Sequence, residues 1–167
     1  MNPKVERIIY LGIIGVLAIL LVSFGKKEVE LQKEIPITVD QLYAKLQNPS
    51  VKVGKNFQII DVREYESEDE DDEIGGYVDQ HIPGAIPLPD CDESKAPPEA
   101  VEHINPYLPT VIVSRDGNPE IFKKCAKKFT LVQNLKGGME AWLEEHDEIV
   151  EEDEYEPPKA GGGGGCL

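Results

Sequence analysis

The chain has 167 residues and a formal net charge of −15, enough for one domain with a proper core once an apolar N-terminal stretch is set aside. Beyond Gly25 there are 31 acidic and 15 basic side chains, a net of −16, and a field of that sign excludes nucleic acid as a partner. Three widely spaced cysteines, Cys91, Cys125 and Cys166, form no disulfide framework, and without a CxxC or a His/Cys cluster no metal site is expected.

Ile8–Phe24 is uncharged and mostly apolar. Seventeen such residues sit at the short end of a membrane span, which needs about 20 to cross ~30 Å of hydrocarbon. An uncleaved signal anchor over residues 1–25 is expected, making a single-pass membrane protein. A cleaved signal peptide is the alternative, although Ser23-Phe24-Gly25 is a poor cleavage site. Flanking charges nearly tie, Lys4 and Arg7 against Lys26 and Lys27. The short N-terminal flank favours N-inside, with the domain extracytoplasmic, on the periplasmic side.

A charged linker, 26–34, leads to alternating strand and helix signals across 35–145. Ile35–Ile37 is β-like, and Thr38-Val-Asp-Gln41 opens a helix as a capping box, with Leu42, Tyr43 and Leu46 on one face. Strands follow at Phe57–Asp61, Ala85–Leu88, Thr110–Val113 and Leu131–Leu135. Helices are expected at Pro97–Ile104, Pro119–Phe129 and Met139–Glu145, the second burying Cys125 on its apolar face. Five short apolar strands separated by helices imply an α/β fold, a parallel sheet covered on both faces. Ligand sites in such sheets collect at the carboxyl ends of the strands, here Asp61-Val62-Arg63, Pro89-Asp90-Cys91 and Ser114–Asn118. Two acid-rich segments fall outside this core. One is a loop insertion at 64–76, with eight acids between Glu64 and Glu73. The other is a tail, 146–167, acidic and then Gly-rich, ending in Cys166-Leu167. Both are too polar to offset their ordering entropy and are expected to be solvated.

Four ordered motifs resemble the rhodanese-like family: IIDVREY at 59–65, HIPGAIPLP at 81–89, VIVSRDGN at 111–118 and LKGGMEAW at 135–142. The resemblance implies a five-stranded parallel sheet flanked by helices, and an active-site loop formed by Ser114, Arg115, Asp116, Gly117, Asn118 and Pro119. It also implies supporting roles for Asp61, Arg63, His81, Gly137, Gly138 and Trp142, with Asp61 and Arg63 as a structural pair that braces the active loop. Such loops begin with a cysteine whose thiolate accepts sulfur as a persulfide, held by surrounding backbone N–H groups. Here that position is Ser114, a hydroxyl with no histidine near it in sequence. Where the family often has an arginine there is Pro119, followed by Glu120, expected to set negative charge beside any anion in the loop. The implied protein is a membrane-anchored, non-catalytic binding or regulatory module, without cofactor or metal, that takes a protein partner or a small anion or sulfur species. The alternative is a sulfur or redox carrier using Cys166 or Cys91 as its thiol.

Overall fold

The computed structural model describes residues 13–17, 36–67 and 72–157. The chain divides into two compact units, Met1–Lys33 and Glu34–Leu167. In the first, residues 13–17 are helical, with exposed Ile13, Ile14, Val16 and Leu17. No helix among the described residues is long and apolar enough to cross a membrane. Most of the expected span Ile8–Phe24 and the linker 26–34 lie outside them.

The second unit carries β1 (Pro36–Ile37), α1 (Val39–Leu46), β2 (Gln58–Asp61), β3 (Ala85–Pro87), α2 (Pro98–Val101), β4 (Thr110–Val113), α3 (Pro119–Ala126), β5 (Val132–Leu135) and α4 (Gly138–His146). The five strands form one sheet in the order β1-β5-β4-β2-β3, and every pairing is parallel. This is the α/β arrangement expected from the alternation.

Local chemistry starts and stops these elements. Thr38 caps α1: its hydroxyl accepts from Gln41 N at 3.3 Å while Gln41 Oε1 accepts from Thr38 N at 3.1 Å, the reciprocal box legible in the sequence. Asn118 caps α3, accepting from Glu120 N at 2.8 Å, and Pro119 follows at the first helical position, where its missing N–H costs nothing. The expected helix over Pro97–Ile104 is only Pro98–Val101. The Gln58 side chain engages both the N–H and the carbonyl of Asn105 and so draws the backbone out of helical register.

Inward-facing Ile59, Ile60, Ile112, Phe122, Leu135, Met139 and Trp142 have essentially no exposed surface. Asp61 is in register with both Val113 and Pro87, so β2, β3 and β4 end level. Residues 62–63, 88–91 and 114–118 therefore meet on one rim.

Beyond α4, the expectation of a solvated acidic tail gives way over residues 147–157. Trp142 Nε1 donates to the Ile149 carbonyl at 3.0 Å, His81 and Glu151 exchange two backbone hydrogen bonds of 2.9 Å, and Tyr155 is buried. A few apolar anchors hold the carboxylates in place. Residues 158–167, Cys166 included, are outside the described residues, as are 68–71 of the insertion.

Candidate functional site

Ser114 follows β4 directly and is 2 % exposed. The loop it opens is held from behind by α4. Met139 N donates to the Ser114 carbonyl at 2.9 Å and Glu140 N to that of Arg115 at 3.0 Å, so two N–H groups of the first helical turn are spent on the loop. Gly117 lies at φ 74° and Gly138 at φ 61°, left-handed values that favour glycine. A Cβ on Gly138 would collide with the Ser114 carbonyl oxygen, and one on Gly117 would sit 2.7 Å from Gly137 N. The two-glycine step at 137–138 thus permits contact between the last helix and the Ser114 loop. Buried Asn134 adds a side-chain bond, Nδ2 to the Gly117 carbonyl at 2.9 Å. The sequence offered one signal for it, a polar residue inside a strand.

Within the loop, Asn118 N points at both Ser114 Oγ (3.1 Å) and Asp116 Oδ1 (3.0 Å). A backbone N–H therefore faces the side chain at position 114, but it meets a hydroxyl. None of the three histidines lines the cavity of about 280 Å³ in front of Ser114. Its walls carry Glu64, Asp72 and Asp90 with Arg63 and Arg115, and the cations are engaged. Arg115 makes two 2.5 Å bonds to Asp72; this contact holds the Asp72 carboxyl at a pKa of about 2. Asp90 pairs with Lys95, whose hydrogen bond lowers its pKa. Carboxylates held ionised in this way are weak bases for a serine hydroxyl.

Glu120, expected to repel anions from the loop, does not line the cavity. Its side chain is 78 % exposed and pairs with Lys123 at 2.8 Å. The negative wall comes instead from the insertion and the turn after β3.

Asp61 and Arg63 pair as the resemblance implied, with Nη2 2.7 Å from Asp61 Oδ2. The remaining guanidinium donors reach the carbonyls of Ile74 (3.2 Å) and Gln80 (2.6 Å). The loop this pair braces is therefore the end of the insertion and the turn after it, 74–80, which it ties to the sheet. The insertion is thus anchored at residues 72–76, although its acids led us to expect a solvated loop. His81 stands apart from Ser114. Its Nδ1 donates to the Tyr77 carbonyl at 2.9 Å, and its ring stacks on that of Tyr77 at 3.9 Å.

The cysteine expectations need correction. Cys91 and Cys125 form a disulfide, their Cα atoms 5.5 Å apart, a separation suited to a bridge. Cys91 is therefore no free thiol, and Cys125 is buried as half of a cystine. The bridge joins the turn Pro89–Cys91 to α3 across 34 residues of sequence. Asp90 (φ 53°) and Cys91 (φ 57°) are both left-handed. The fold brings the pair together by placing that turn beside α3, which spacing along the chain does not reveal.

A sequence model of the Rhodanese-like domain family matches residues 38–145. Among solved structures, the chain is similar to a Rhodanese-like domain from Anabaena sp., at 20 % identity over 80 % of this chain and 89 % of that one, with a TM-score of 0.47. It is also similar to a Rhodanese-like domain protein from Staphylococcus aureus, at 27 % identity over 65 % and 90 %, with a TM-score of 0.43. A Bacillus halodurans protein gives 20 % identity over 74 % and 81 %, with a TM-score of 0.47. A comparison with curated protein sequences finds no match.

Proposed function

Because the chain belongs to the rhodanese-like family, we propose that it is a non-catalytic member, a binding or regulatory module held at a membrane by Ile8–Phe24. The observation that carries this reading is the environment of Ser114. The side chain at the family's nucleophile position is a buried hydroxyl that accepts from Asn118 N, and no imidazole lines the cavity before it. A serine cannot carry sulfur as a persulfide, and to act as a nucleophile it needs a base. Three carboxylates on the cavity wall also disfavour a small anion, so the partner we propose is a protein.

The disulfide supports placing the domain in an oxidising compartment, in keeping with N-inside orientation. It also removes Cys91 from the alternative reading, a thiol carrier, which then rests on Cys166 alone.

The purified full-length chain is expected to show no thiosulfate:cyanide sulfurtransferase activity above background. Ser114→Cys should give a trace rate. Adding Asp72→Asn, which releases Arg115 toward the loop, should raise that rate about tenfold, one pKa unit of thiolate stabilisation. Robust wild-type activity that disappears in Cys166→Ser would replace this reading with the carrier.

A further inference from the structure

A second cavity, of about 390 Å³, shares no lining residue with the one at Ser114. Its wall is built from Val53 and Gly54 before β2, from residues between Tyr77 and Ile86 leading into β3, from His103, and from the C-terminal segment beyond residue 150, which lies outside the family match. From this cavity we propose a binding site for a primary ammonium on an apolar stem, the side chain of a lysine in a protein partner. The inference does not depend on the reading of Ser114.

Two carboxylates and a buried hydroxyl carry the argument. His81 is 2 % exposed, and with its Nδ1–H committed to the Tyr77 carbonyl its other ring nitrogen, Nε2, is turned toward the carboxylates of the tail. Facing that nitrogen are Glu151 Oε2 at 3.4 Å and Asp153 Oδ1 at 3.9 Å, both longer than a formed N–H···O bond. Two carboxylates thus converge on one ring nitrogen, and Glu151 Oε2 also accepts from Gly84 N at 3.2 Å. Among the described residues, no lysine or arginine lines the wall. Tyr155, on the same wall, has a buried hydroxyl with no hydrogen-bond partner. An ammonium supplies three donors and one positive charge where two carboxylates and an unpartnered hydroxyl line one wall. Val53, Ile86 and the Tyr77 ring give the wall an apolar side for the methylene stem. The carboxylates remain reachable, with side chains 50 % and 67 % exposed at Glu151 and Asp153.

Recognition of this kind uses the acidic tail for a purpose beyond solubility. Burying or converging carboxylates without a counter-charge is unfavourable, and an arriving cation relieves it. The backbone bridge between His81 and Glu151 holds the tail in place beforehand, so little ordering remains for the partner to drive.

The test is an NMR titration of the full-length chain at about 0.15 M salt, where distant charges are screened. The probes are Nα-acetyl-lysine methylamide, its neutral norleucine counterpart, and putrescine. The lysine probe should give saturable shifts at Val53, Gly54, His103 and the His81 ring, and norleucine should give none. Glu151→Gln with Asp153→Asn should weaken lysine binding at least tenfold. If the double variant is not folded, Asp153→Asn alone, at an exposed side chain, should weaken it at least threefold. Equal shifts from lysine and norleucine, shifts centred on Ser114, or binding that survives the variants would overturn the proposal. Tighter binding of putrescine would make the occupant a free diamine and overturn the assignment to a partner's side chain.

Discussion

The two cavities of the domain are built on opposite plans. At Ser114 both arginines and two of the three wall carboxylates are matched internally: Asp72 holds Arg115, Lys95 holds Asp90, and Asp61 holds Arg63. At His81 two carboxylates converge with no lysine or arginine among the described lining residues. The first takes part of its wall from the acidic insertion, and the second joins the motif residues His81–Ile86 to a tail outside the family match. One cavity of a fold can therefore be closed by its own ion pairs while another is completed by sequence beyond the family match.

The largest expected effect that probes this contrast is on stability. Cys91→Ser or Cys125→Ser opens a closed loop of 34 residues, which the chain-entropy account values at about 4 kcal/mol. Denaturant unfolding with and without reductant measures it. The loss should be accompanied by loosening of the turn Pro89–Cys91 at the Ser114 cavity and leave the His81 cavity intact.

A pair of glycine substitutions separates the two sites further. Gly138→Ala combines a left-handed backbone with a collision against the Ser114 carbonyl and should destabilise by about 3 kcal/mol. Gly54, on the wall of the other cavity, is also left-handed (φ 77°), yet nothing lies within 4 Å of its would-be Cβ. Gly54→Ala should cost only the backbone term, about 1–2 kcal/mol. Equal costs would show that the Ser114 loop is not tightly held.

The smallest effect is a pH dependence. Asp72 is held below its ordinary value of 3.8, at about 2, by hydrogen bonding to Arg115. A depressed folded-state pKa stabilises the fold fully above the unfolded value, and the contribution is lost as pH falls through the folded one. Asp72→Asn should therefore be slightly less stable than wild type near pH 6, and the difference should vanish between about pH 4 and pH 2. Thermal midpoints at those pH values measure it; a gap that persists at pH 2 would mean that the Arg115 pair is not its source.

Much of the frame was legible because it depends on neighbours in sequence. The run TVIV at 110–113, the box at Thr38 and Gln41, and the glycines at 137–138 each state a local requirement, and the structure meets it. The features that escaped are set by distant partners. Cys91 and Cys125 meet only because the turn after β3 packs beside α3. The acids at 151–154 suggest solvation, but Ile149, Val150 and Tyr155 pack against the core, and a composition average hides three such anchors. Glu120 was read by its charge, yet the helical turn points it to Lys123 and away from the cavity.

The order of strands leaves β1 and β3 at the margins of the sheet. They are two and three residues long, and each contains a proline, Pro36 and Pro87. Leu88 N turns inward to the Asp61 carbonyl, so by strand alternation the outward position before it belongs to Pro87, which has no N–H to offer. A margin so short and so poor in donors is a weak template for strand addition by another chain. Crowding many copies together should therefore not seed fibrils from the folded domain.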